Sequence, residues 1–281
     1  ACVEGLTPLT EYECCAYSGE NQTEIHAFTT ESVYQIPNSG FEIFSNTEST
    51  KYYSFYNPAS SVVENQTKWW CSGNKGSTTV GTSYTITNPD QQDKMEGNYS
   101  VKLESKYVII KFAAGNIFSG EFVRVIGTSG GVVNFGRPFT LRPRKLSLWL
   151  KYQNGPIDRF NGAPDNGSVK EGDMDRCQVF VALGDWDYRT YGGTPESPVQ
   201  VNTTDRSTFF KSDSEAVIGY GAYVGDKATD GWIKVEIPIE YVSVSRKPTH
   251  IIVSCAASMY GDYFTGSTSS ILWIDGMELV Y

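Results

Sequence analysis

From Ile36 to the C terminus, about a dozen short segments alternate apolar and polar residues, each closed by Gly, Pro, Asn or Asp, with no helical periodicity between them. Alternation with period two puts successive side chains on opposite faces, so such segments read as strands with one face on a core. They fall at 41–44, 99–103, 107–112, 121–125, 131–135, 145–152, 177–183, 216–223, 232–239, 250–256 and 271–280. That many strands without helices pack as two antiparallel sheets. The 18 Tyr, 14 Phe, 6 Trp and 27 Gly agree, because aromatic residues fit a pleated surface and glycines fit its turns.

The 281 residues can form one large all-β domain with a short appendage. Residues 1–34 read as that appendage, the last hairpin of an upstream module, and residues 35–281 as the main domain. A net charge of -9 disfavours nucleic acid, whose phosphates call for a basic face. The sequence has no run of eighteen apolar residues that could span a bilayer as a helix, and no basic-then-apolar leader opens the chain. Cys2, Cys14, Cys15, Cys71, Cys177 and Cys255 lack zinc-site spacing. Cys177 and Cys255 lie inside apolar strands and read as buried small hydrophobes, while Cys2 is placed to close a small loop with Cys14 or Cys15. Three long connections, 47–98, 153–175 and 184–215, are candidate functional loops or hide short strands.

A set of motifs recurs in order. They include Ile36-Pro-Asn-Ser-Gly-Phe-Glu42, Trp69-Trp-Cys-Ser-Gly-Asn-Lys-Gly-Ser77, Lys102-Leu-Glu-Ser105, Phe112-Ala-Ala-Gly-Asn-Ile-Phe-Ser-Gly-Glu-Phe122 and Phe135-Gly-Arg-Pro-Phe139. Ala182-Leu-Gly-Asp185, Ala216-Val-Ile-Gly-Tyr220 and Tyr260-Gly-Asp-Tyr-Phe-Thr-Gly266 complete it. Together they resemble the putative carbohydrate metabolism domain of gut Bacteroidetes, over about residues 35–281. The resemblance implies a galactose-binding-like jelly-roll β-sandwich in a secreted, periplasmic or outer-membrane surface protein, often a lipoprotein with a lipid anchor upstream. The sequence departs at Cys71, where the family leads one to expect an acid, and this speaks against a carboxylate role for that loop.

Sugars offer small apolar faces and many hydroxyls, so their sites pair aromatic rings with planar polar groups. The segment 184–191 supplies both at a strand end: Trp186, Tyr188 and Tyr191 as stacking faces, with Asp185, Asp187 and Arg189 as hydroxyl partners. The alternative for this segment is a solvated turn with Trp186 packed on the sheet edge. Trp69 and Trp70 form a second aromatic candidate, since alternation turns one of two adjacent rings away from the core.

Glycoside hydrolysis needs two carboxylates, ~5 Å apart when retaining or ~6.5–9.5 Å when inverting. Asp185 and Asp187 share a face of an extended chain, and Glu121 and Asp262 are further catalytic candidates if the chain is an enzyme. Glu42 and Asp275 resemble the pair that holds structural calcium in jelly-roll sugar-binding families. His26 and His250 build no nucleophilic triad. The sequence therefore predicts a noncatalytic binder of polysaccharide or oligosaccharide that requires no cofactor. A glycoside hydrolase and a structural adhesin-like surface protein are the alternatives.

Overall fold

A computed structural model describes residues 3, 6–79, 84–108, 110–164 and 169–281. The appendage holds two small hairpins: β1 (Glu11–Cys14), β2 (Tyr17–Ser18), β3 (Asn21–Gln22) and β4 (His26–Thr29), paired β1 with β4 and β2 with β3. Next come β5 (Trp70–Cys71), β6 (Thr87–Asp90), β7 (Ser100–Glu104), β8 (Lys106–Val108), β9 (Lys111–Ala113), β10 (Asn116–Ile126), β11 (Gly130–Phe135) and β12 (Arg137–Pro138). The remainder are β13 (Lys145–Gln153), β14 (Cys177–Gly184), β15 (Val199–Asn202), β16 (Val217–Gly225), β17 (Ile233–Pro238), β18 (Glu240–Tyr241), β19 (His250–Ala256) and β20 (Ile271–Val280).

Two antiparallel sheets form the jelly-roll sandwich. One has nine strands, in the order β15-β11-β10-β19-β14-β16-β18 with β5 on β10 and β12 on β19; the other has five, in the order β17-β13-β20-β7-β6. Leu146, Leu148, Leu150, Leu272, Ile274 and Val101 of the five-stranded sheet pack against Val179, Val181, Leu183, Ile251, Val253 and Cys255 of the larger one. At ~25 cal/mol per Å² of buried apolar surface, this face is the main source of stability.

The nine-stranded sheet also carries a second apolar cluster on its other face, including Phe118, Phe135, Phe180, Ala182, Val201 and Ile252. Strand β14 is therefore covered on both sides, and its run Val179-Phe-Val-Ala-Leu183 is apolar throughout. No helix among the described residues is long and apolar enough to cross a membrane.

Most expected strands lie where the alternation puts them, and β19 and β20 match residue for residue. Residues 41–44 do not form a strand. Phe41 sits at φ 56°, and the Asn38 side chain bonds both the amide and the carbonyl of Ile43 (2.9 and 2.7 Å), taking the place of a neighbouring strand. The expected strand 107–112 is instead the tight hairpin β8–β9. Cys177 and Cys255 are buried, whereas the loop closure through Cys2 lies outside the described residues.

Candidate functional site

A trough is cut into the outer face of the nine-stranded sheet, and strand register explains it. Central strand β19 gives that face Ile252, Ser254 and Ala256. Ser254 lies in register with Phe118 of β10 on one side and Phe180 of β14 on the other, so a small side chain is flanked by two rings. One row further on, Ala256 lies between Asn116 and Gln178. Loops raise the walls into an open cleft of about 560 Å³, with Phe122, Phe209, Phe210, Tyr220, Tyr263 and Phe264 among its lining. Phe210 stacks on Phe180 at 5.0 Å and 12°. This size falls in the ~300–1,000 Å³ range of ligand pockets.

The loop after β19 brings Asp262 to the cleft, in a single 3-10 turn Gly261–Tyr263. Both loop ends are bolted down. Fully buried Asp175 accepts bonds through one oxygen from the Ser258 hydroxyl (2.6 Å), the Ser267 amide (2.8 Å) and the Ser270 hydroxyl (2.7 Å). Desolvation raises the Asp175 pKa, and these donors oppose the rise. At the apex, Phe264 holds φ 58° with Lys111 over its ring at 3.9 Å, and Gly261 admits no Cβ, since Ala114 Cβ would lie 2.5 Å away. A non-glycine residue in the left-handed region stores strain, a feature that concentrates at functional sites.

Asp262 is an exposed residue on the cleft lining, and partial desolvation by the surrounding walls raises its carboxyl pKa. No hydrogen bond or ion pair engages this carboxyl among the described residues, and no other carboxylate of theirs lines the cleft. Gln178 and Ser254 also line the cleft, as half-buried polar groups.

The other sequence candidates lie elsewhere. Asp185 forms a two-pronged ion pair with Arg246. Asp187 caps the short helix Tyr188–Tyr191, accepting from the Arg189 amide at 3.0 Å, and the Arg189 guanidinium lies 5.4 Å over the Tyr188 ring. The Tyr191 hydroxyl meets the Ser214 hydroxyl at 2.8 Å. Trp186 does not present a stacking face: it is 3% exposed and meets Phe210 edge-on in the second cluster.

Trp69 and Trp70 are both buried in the main core; Trp69 precedes β5, which begins at Trp70, so strand alternation does not set the two rings on opposite faces. The Trp70 indole donates to the Pro37 carbonyl at 3.0 Å. Glu121 accepts from Asn134 at 3.0 Å and Thr194 at 3.2 Å, on the sheet face opposite Phe122 and the cleft. Asp262 is therefore the one candidate carboxylate that the fold brings to the cleft. The floor residues gave no sequence signal, since a serine and an alanine become a trough only through their cross-strand neighbours.

Glu42 and Asp275 do converge, on the turn at 95–99. Glu42 accepts from the Asn98 and Tyr99 amides (2.8 and 3.1 Å), and Asp275 from the Met95, Glu96 and Gly276 amides (2.8, 2.8 and 2.7 Å). Calcium wants several oxygen ligands, and this site supplies N–H donors to those carboxylates instead. No group of three or more metal-ligating side chains occurs among the described residues. The pair reads as a clamp on a turn and does not fit a calcium ion as it stands.

The sequence model described as "putative carbohydrate metabolism domain" matches residues 40–280. Among solved structures, the chain is similar to a putative glycoside hydrolase from Bacteroides thetaiotaomicron at 21% identity, covering 97% of this chain and 78% of that one with a TM-score of 0.64. It is also similar to a putative glycoside hydrolase from Bacteroides vulgatus at 21% identity, covering 86% and 96% with a TM-score of 0.62. Identity this low shows a shared fold. A search of curated protein sequences gives no match.

Proposed function

The chain belongs to the putative carbohydrate metabolism domain family, and from that premise we propose that it is a glycan-binding protein whose ligand lies in the trough over Ser254 and Ala256. The observation that carries this reading is a cleft with aromatic walls and, among the described residues, one carboxyl, Asp262. Sugar C–H faces pack on rings, and hydroxyls meet Asp262, Gln178 and Ser254. We further infer a secreted, periplasmic or surface location, where polysaccharide and oligosaccharide are met; cell fractionation tests this.

A glycoside hydrolase is the second reading. It is favoured by the raised pKa of Asp262, which suits a general acid. Against it stands the absence of a second carboxylate among the described lining residues, since both stereochemical routes use two. A glycan array and a reducing-sugar assay with wild type, Ser254→Trp and Asp262→Asn separate the readings. A binder loses array signal when Ser254→Trp fills the trough, and releases no sugar in any form. Sugar release by wild type that falls by orders of magnitude in Asp262→Asn establishes the hydrolase.

A further inference from the structure

The long connection 153–175 is fastened to the loop that bears Asp262. Arg159 and Gly266 pair through both backbone bonds (3.1 and 2.9 Å), the Asn161 side-chain amide donates to the Tyr263 carbonyl (3.0 Å), and the Thr268 amide donates to the Asp158 carboxylate (2.9 Å). The two segments make one wall, and Pro164, Tyr260 and Tyr263 from it line the cleft. A second, more polar pocket of about 390 Å³ lies against the same wall, its described lining including Ile157, Asp173, Met174, Arg176, Asp226 and Tyr260. Tyr260 thus belongs to both linings, and it packs with Ile157 in a small apolar cluster of its own.

The chain entering β14 also joins the two pockets. Asp175 and Cys177 are buried, whereas Gln178 lines the cleft and Arg176, two positions before it, is exposed in the second pocket. That is the alternation of an extended chain, so both side chains leave the same face. The Met259 amide donates to the Arg176 carbonyl at 2.7 Å, which holds this stretch against the start of the Asp262 loop. Neither the Arg176 guanidinium nor the Asp226 carboxylate makes a hydrogen bond or ion pair among the described residues, and Asp173 uses one oxygen on the Lys170 amide (3.0 Å).

We propose that the second pocket is a further sugar subsite, and that the ligand is a neutral oligosaccharide whose chain runs from the trough past Tyr260 to Arg176, Asp173 and Asp226. This rests on the glycan-binding reading above and adds a chain length to it. A guanidinium donates to hydroxyl oxygens and a carboxylate accepts from hydroxyl hydrogens, and hydrogen bonds to charged groups are stronger than neutral ones. The two carboxylates repel a uronic acid and the guanidinium repels an amino sugar, so an uncharged unit fits best. The volume falls in the ~300–1,000 Å³ range of ligand pockets.

A glycan array carrying each glycan as a series from mono- to tetrasaccharide, read at several concentrations of the full chain, tests the proposal. Wild type binds the di- or trisaccharide of at least one series about tenfold or more tighter than its monosaccharide. Arg176→Ala and Asp226→Ala each reduce that advantage several-fold and leave the monosaccharide signal unchanged, whereas Ser254→Trp abolishes both. The two alanine changes fall at exposed positions, so the melting temperature is retained. Equal affinity along every series, or a length advantage that survives both alanine changes, overturns the second subsite while leaving glycan binding intact. Absence of signal from every glycan overturns glycan binding itself, and the proposal with it. Should one alanine change lower the melting temperature, the other, together with the length series on wild type, still decides.

Discussion

Asp262 and Trp186 show how one residue's surroundings set its role. The Asp262 carboxyl titrates near 6 against an ordinary 3.8. Between about pH 4 and 6 the native chain therefore holds a proton that the unfolded chain has released, and stability falls as pH rises through that window. Asp262→Asn removes the ionisation, so it raises the melting temperature at neutral pH only slightly, by no more than about 1 °C because the residue is exposed to solvent, and has no such effect below pH ~4. Differential scanning fluorimetry across pH checks this, and an equal gain at both ends would contradict it. Trp186→Ala, by contrast, empties a packed site and costs about 3–5 kcal/mol in a denaturant titration. In the sequence both residues sit among aromatic and acidic neighbours at a strand end. Only burial separates them, and burial depends on Phe210, which lies 24 positions after Trp186.

At the level of elements, the strands were legible because alternation records which face each residue buries. Strands β13, β14 and β19 hold long-range partners along their whole length, and β20 along most of its own. The turn at Phe41 was hidden because its geometry comes from a side chain, Asn38, acting as a backbone partner. The Asp175 bolt was hidden because Ser258, Ser267 and Ser270 are about ninety positions away from it. Asp175→Asn puts an amide where that carboxylate accepted four donors, and leaving even one of them unmet costs about 1–3 kcal/mol. Hydrogen exchange then speeds up in residues 258–270 before it does in β14. The Glu42–Asp275 clamp makes a separate prediction. Glu42→Ala loses about 1–3 kcal/mol by unpairing the Asn98 and Tyr99 amides, while a chelator leaves the wild-type melting temperature unchanged. A drop in chelator would restore calcium to this site.

The whole molecule is a sandwich with a lightly attached N-terminal piece. Hairpins β1–β4 are largely exposed, and Tyr34 and Gln35 mark the junction, where Gln35 bonds Leu279 twice (both 2.8 Å) and the Tyr281 hydroxyl donates to the Tyr34 carbonyl (2.7 Å). A chain starting at Tyr34 keeps these bonds and the full core. It melts within a few degrees of the longer chain and binds the same ligands, and a large loss in calorimetry would make the first 33 residues part of the folding unit.

Strand β19 divides two tasks between alternate letters of its sequence. Ile251, Val253 and Cys255 face the sandwich interior, and Ser254 and Ala256 shape the trough on the other side. A change at 254 or 256 that adds or removes a methyl group resizes the ligand's seat without disturbing the interior, because it projects from the opposite side of the same backbone. Sequences that vary only at these two positions can reshape the trough while inheriting the same thermal robustness, with no compensating repair elsewhere in the chain.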